Sequence, residues 1–214
     1  MNYLDEITKE NFDAKMDKIQ IPQKRKDLLF NIITNKLTVP HTAYVPIIHY
    51  SLKTLFPEVY NSNKMILPED LYNNCELYEY DSAKNGQNII KHGFGFGTLM
   101  SYFDAYGVLN IPLKNINNEE RIVIFSRIDC GKNGENLPIP DEEITGKIAT
   151  MTIAKQIGFK QRFISSMRLS SKESKWKRQI ATAIKIENYS GEQKKYFLNR
   201  CHEILNERLF IDIN

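Results

Sequence analysis

Apolar positions recur at helical spacing over the first sixty residues. The stretch from Ile7 to Ile19 is weakly amphipathic. Between Gln23 and Leu37, the residues Leu28, Leu29, Ile32 and Ile33 gather on one side of a helix. Pro22 precedes it, where a missing N–H costs little. A third helix, Thr42 to Phe56, carries Val45, Ile48, Leu52 and Leu55 on one face. Pro46 inside it predicts a late start or a kink, and Pro57 marks its end.

The pattern then changes. Glu76 to Tyr80 is short and extended. Tyr106 to Leu113 (YGVLNIPL) and Arg121 to Ile128 (RIVIFSRI) are rich in β-branched and apolar residues, and the polar run Lys114 to Glu120 suits a hairpin connection between them. His92 to Gly97 (HGFGFG) lacks the ending of a phosphate loop and the spacing of a dinucleotide site, so it reads as a packed, glycine-bent strand. Gly131 to Pro140 concentrates Gly, Asn and Pro and reads as a linker. Beyond it the chain turns helical again. The last helix, about Glu192 to Leu209, has Phe197, Cys201, Ile204 and Leu205 on one face.

Composition adds the charge distribution. The chain of 214 residues has a formal charge of +3, but Lys147 to Arg200 holds thirteen Lys/Arg against three Asp/Glu, a net +10. The other 160 residues therefore carry −7. Such segregation points to an anionic partner for the basic part, with a solvated lysine-rich surface as the alternative. No apolar run approaches the roughly 18 residues of a membrane span. The charged N-terminal stretch lacks the core of a secretory signal. Cys75, Cys130 and Cys201 are odd in number, far apart and without a CxxC, which fits reduced thiols in a cytoplasmic protein.

The segment Thr150 to Leu169 (TMTIAKQIGFKQRFISSMRL) carries the most specific pattern. Ala154 is small where two helices would cross, Gly158 follows four positions later at a turn, and Ile153, Ile157, Phe159, Ile164 and Met167 would face inward. These residues resemble the bihelical unit of helix-turn-helix DNA-binding regulators of bacterial and phage repressor type. Gln179 to Ile186 is similar to a later helix of the phage-repressor subclass. The resemblance implies a framework of Ala154, Gly158 and Ile164 and a helix from Lys160 that enters the major groove of double-stranded DNA. Lys160, Gln161, Arg162, Ser165 and Ser166 would form the outward face of this helix, Arg and Gln suiting base edges and Ser and Lys either phosphates or base edges. Arg168 is a further DNA-contact candidate, and Lys172, Lys175, Lys177 and Arg178 would reach flanking phosphates. Two half-sites would imply a homodimer.

The middle hairpin is generically similar to that of GAF-type and autoinducer-receptor sensing domains. The aromatics Tyr78, Tyr80, Phe94, Phe96, Tyr102, Phe103 and Tyr106 are then a candidate pocket for a small-molecule ligand, with ordinary core as the competing reading. His41 and His49 lack partners for a metal set, and no cofactor motif is present. The carboxylates Glu79, Asp81, Asp104 and Asp129, with Lys84 or Lys132, do not have the ordered spacing of a metal-dependent nuclease, and nothing orients a base toward Cys130. No catalytic residue is assigned.

The expectation is an α+β protein. Residues 1–138 form an α/β sensing or dimerising domain with a small, mainly antiparallel sheet, and residues 139–214 an all-α helix-turn-helix domain. Its expected function is DNA-binding transcription regulation in a bacterial or phage setting, with the N-terminal domain serving ligand sensing, dimerisation or both. The alternatives are a nuclease-like enzyme gripping nucleic acid through the basic region, and an interaction module of a mobile element.

Overall fold

The computed structural model describes residues 3–63, 66–68, 70, 77–111 and 121–211. The protein is mixed α+β, with eight α-helices and a five-stranded mixed sheet among the described residues. Cys75 and the run Lys114–Glu120 lie outside the described residues.

The N-terminal helices are α1 (Lys9–Met16), α2 (Gln23–Ile33), α3 (His41–Leu55) and α4 (Pro57–Asn63). Thr8 caps α1, its hydroxyl accepting from the Asn11 N–H at 3.3 Å. Pro46 sits inside α3 without ending it. Phe12, Met16, Leu29, Ile32, Ile33, Ile47 and Leu55 close a first core.

Strand β1 (Tyr78–Tyr80) leads into α5 (Ser82–His92) and the short α6 (Phe96–Ser101). The Asp81 carboxylate caps α5 by accepting from the Lys84 N–H at 3.0 Å. Gly93, at φ +81°, ends α5 in the left-handed conformation, its N–H bonded to the Ile89 carbonyl at 2.9 Å. The glycine-rich run is therefore a helix cap and a connection to α6, not a bent strand.

Strands β2 (Phe103–Ile111), β3 (Arg121–Asp129), β4 (Lys147–Ile157) and β5 (Lys160–Arg168) form an antiparallel meander, and β1 pairs in parallel with β5. The order is β1-β5-β4-β3-β2. Two helices close the chain, α7 (Glu173–Ala183) and α8 (Gly191–Ile204), the latter continuing as a π-turn through Leu209.

Two expectations are corrected here. Residues 150–169 form a β-hairpin, not two helices. Ile157 faces Lys160 across the two-residue turn Gly158-Phe159, and Gly158 has φ +58°. A glycine with positive φ in the first turn position is the hairpin signature of Gly-X turns. Ala154 lies buried within β4, and Ile164 occupies a bulge where the pairing shifts between Ile153↔Ser165 and Ala154↔Phe163. Strand β4 is buried on both faces from Ile148 to Ala154. Ala149, Met151 and Ile153 enter one core, and Ile148 and Ala154 the other. That erases the period-two signal and leaves an apolar run that also satisfies a helical template.

The boundary at 138/139 is also not a break between domains. The loop after β3 leads into its direct neighbour in the sheet, with Ile128↔Ile148 and Asp129↔Lys147 paired. The C-terminal part is accordingly not all-α, since it contributes β4 and β5.

One face of the sheet is roofed by α7 and α8, with Val123, Phe125, Met151, Trp176, Ile180 and Phe197 in the core between. The other face carries α5 and α6 over Ile128, Ile148, Ala154 and Phe163.

Candidate functional site: an apolar cleft on the open face of the sheet

Residues directly opposite in neighbouring strands share a face. Tyr106 faces Ser126, Ile124 faces Thr152, and Thr152 faces Ser166, so these side chains tile one surface from β2 to β5. Toward the hairpin tip, Gln156 faces Gln161, and Gln161 faces Tyr78 on β1. Helix α6 is only six residues long and roofs part of this surface. Where it ends, a cleft of about 350 Å³ opens.

One wall is an aromatic stack. Tyr78 lies on Phe163 with centroids 5.4 Å apart and planes within 7°, and Phe96 backs Phe163 at 5.5 Å. The opposite wall is Phe103 set edge-on to Tyr106 at 5.5 Å and 85°. At the mouth stand Leu77 and, on the hairpin tip, Phe159. Among the described residues eleven large apolar side chains are exposed, and four of them meet here: Phe159 (99%), Leu77 (70%), Tyr106 (58%) and Phe103 (41%). A converging set of this kind marks a binding surface more than scattered exposure does.

The floor is polar but uncharged. Thr152 and Ser166 are buried, and their hydroxyls lie 3.0 Å apart. The Ser166 hydroxyl donates to the Met151 carbonyl at 3.3 Å. Its proton is therefore used, so Thr152 donates to Ser166 and keeps its own oxygen as an acceptor. Gln156 donates to the Gly158 carbonyl at 2.6 Å, bracing the turn below Phe159. No charged side chain is among the described residues lining the cleft.

The seven expected pocket aromatics divide. Tyr78, Phe103 and Tyr106 line the cleft. Tyr80, Phe94 and Phe96 are core behind it. Tyr102 lines a separate cavity with Thr98 and Leu137. Sequence reasoning missed Leu77, Ser126, Thr152, Gln156 and Phe159. The available signal was the Gly-X turn at Gly158-Phe159, which makes β4 and β5 strands and puts alternate residues on one surface.

The expected DNA-contact residues divide as well. No helix starts at Lys160, so no recognition helix exists there. Lys160, Gln161, Arg162, Ser165 and Ser166 lie on β5. Gln161 turns into the cleft, Arg162 is bonded to Glu79 at 2.9 Å, and Ser166 is buried. Arg168 ends β5, while Lys172, Lys175, Lys177 and Arg178 lie at the start of α7. The structure thus separates a hairpin group from a helix group.

The carboxylates considered for catalysis are dispersed. Glu79 pairs with Arg162, Asp81 caps α5, and Asp129 accepts from the Gly131 N–H at 2.9 Å. Partial burial opposes the charge of Asp104, but bonds from Arg127 (2.8 Å) and Lys147 (3.0 Å) outweigh it and hold this carboxyl below its usual range. Burial pushes the Cys130 thiol up to about 11, far from a nucleophile's range. His49 is buried, donating from Nε2 to the Pro68 carbonyl at 2.8 Å and accepting from the Tyr60 hydroxyl at 3.3 Å. Among the described residues no three His, Cys, Asp or Glu converge as metal ligands, and no helix is long and apolar enough to cross a membrane.

No family model, curated protein or solved structure matches the chain.

Proposed function

We propose that the protein binds a small, uncharged, largely apolar ligand in the cleft between β1, α6 and the β4–β5 hairpin. The observation that carries this reading is the meeting of four exposed apolar side chains over a buried hydroxyl floor. Stacked and edge-on rings suit a flat ring system. The volume lies at the lower end of small-molecule sites. A lining without charge disfavours phosphate or carboxylate groups, which would be desolvated there unpaired. The acceptor left on Thr152 selects a ligand that presents one hydroxyl or N–H donor.

The test uses two neutral probes that share a body, 2-naphthol and 2-methoxynaphthalene, titrated by fluorescence. The naphthol is expected to bind saturably at one site per chain. The ether, lacking the donor, should bind about tenfold more weakly, the worth of one hydrogen bond. Thr152→Val should erase that difference, and Phe103→Ala with Tyr106→Ala should abolish binding of both. Absence of saturable binding, or binding indifferent to Tyr106, overturns the reading. So does a stable dimer by light scattering that Tyr106→Ala dissociates, because the cleft would then be covered by a second copy.

A further inference from the structure

The other face of the sheet bears the free positive charge. On α7 the apolar side, Trp176, Ile180 and the following Ile184, is buried against the sheet. Lys175 and Arg178 stand exposed on the opposite side, with Lys172 at the helix start and Lys185 just beyond its end. None of these four forms an ion pair among the described residues, whereas Lys177 is held by Glu173 at 2.5 Å. At the foot of α7 a cavity of about 460 Å³ opens between β4, β5 and the loop into the helix. Its lining includes Lys147, Arg168, Ser170, Ser171 and Gln179. Lys147 is partly neutralised by Asp104 at 3.0 Å, and Arg168, opposite Thr150, shares the sheet face of Thr152 and Ser166 rather than that of α7. Gln179 fixes the loop, accepting from the Ser170 N–H at 2.9 Å and donating to the Arg168 carbonyl at 3.0 Å.

We propose that the outer side of α7, from Lys172 to Lys185, grips the phosphate backbone of duplex nucleic acid. The observation that carries this is a row of cations. Lys172, Lys175, Arg178 and Lys185 are exposed and form no ion pair among the described residues, and helical neighbours three apart stand about 5–6 Å from one another, so the first three make one continuous row able to contact successive phosphates. The partner is distinguished from its competitors by what this face lacks. An anionic membrane surface wants an exposed apolar side on the helix, and that side of α7 is already buried. A single strand wants aromatic platforms, and Tyr196 on α8 is the one exposed large aromatic among the described residues of α7 and α8. The proposal is independent of the ligand cleft.

The experiment is fluorescence anisotropy with a mixed-sequence 30-base-pair DNA duplex over a salt series, using the full chain without added metal. With four cations engaged, log Kobs is expected to fall linearly with log salt at a slope of about −3 to −4. The triple variant Lys172→Gln/Lys175→Gln/Arg178→Gln should reduce that slope by about 3 and weaken binding at 0.1 M salt by two to three orders of magnitude. Arg168→Gln, on the opposite face of the sheet, should leave the slope unchanged. Lys160→Ala/Arg162→Ala on the hairpin should change little. All these positions are exposed apart from partly covered Lys160, and an unchanged melting temperature checks that the variants fold. Absence of binding at low salt overturns the proposal. Loss of binding in the hairpin variant but not the α7 variant overturns it too, as does tighter binding to phosphatidylserine vesicles or to a single strand than to the duplex.

Discussion

The two faces of the sheet have been finished in opposite ways. Beneath α7 and α8 the cover is continuous: Trp176, Ile180, Phe197, Cys201 and Leu205 are all buried against the strands, and the charge is carried on the outside of the helices. On the face under α5 and α6 the cover stops at Ser101, and beyond it exposed apolar walls stand over a buried hydroxyl floor. Leaving a large apolar side chain in water forgoes about 1.5–3 kcal/mol each. A sheet surface with no task beyond stability would be covered or would carry polar residues. The closed face stabilises the fold and presents charge, while the open face leaves apolar surface uncovered, which is the basis of the proposed ligand cleft.

The largest expected effect tests the closed face. Trp176→Ala should cost about 3–5 kcal/mol, read by chemical denaturation. Trp176→Phe should cost far less, under about 1.5 kcal/mol, because the indole N–H is buried with no hydrogen-bond partner among the described residues, so its loss relieves a penalty. A severe loss in the phenylalanine variant would show that shape, not burial, holds α7 down.

Next comes the seat of α5, which positions the open face. A Cβ on Gly86 would stand 2.0 Å from the Pro46 carbonyl oxygen, a backbone atom. Gly86→Ala should therefore cost about 3 kcal/mol despite its better helix propensity. On the closed face, a Cβ on Gly107 would come 2.7 Å from the Ile204 side chain, which can swing. Gly107→Ala should cost about 1 kcal/mol. Equal costs would mean that the two faces are equally rigid.

Acid should strain the open side first. Burial, reinforced by the positive charges of Lys91 and Arg25, pushes the His92 imidazole down to about 4 from 6.5. The folded protein thus refuses a proton that the unfolded chain accepts. Stability attributable to His92 is intact above pH 6.5 and falls as pH drops from 6.5 toward 4, by up to about 3 kcal/mol. His92→Gln should flatten that part of the pH–stability curve, and an unchanged slope would exclude the residue.

The smallest effects belong to the cleft mouth. Phe159→Ser and Tyr106→Ala should change stability by less than about 0.5 kcal/mol in thermal melts, since both rings are largely in solvent. A large loss would show that these rings support the hairpin.

Much of the frame was legible beforehand. Leu29, Ile32 and Ile33 face the core from α2 as their spacing requires, and β2 and β3 pair as two neighbouring β-rich runs should. Phe197, Cys201, Ile204 and Leu205 form the buried side of the last helix. Of the cleft, only Tyr78, Phe103 and Tyr106 could be named. Thr152 and Ser126 carry no local signal, because a hydroxyl on a strand becomes a binding-site floor only by which residue stands opposite it.

The sequence by itself determined the helices with one buried side, the β-rich middle and the net positive excess of residues 147–200, since each depends on neighbours within a few positions or on composition. Tertiary structure alone decided the rest. Residues 150–169 are strands because β3 offers β4 a hydrogen-bonding edge and both sheet faces bury β4 as far as Ala154. Burial on two sides leaves no periodicity to tell strand from helix. The parallel pairing of β1 with β5 likewise joins residues some eighty positions apart. It is this pairing that brings Tyr78 onto Phe163 and builds one wall of the cleft.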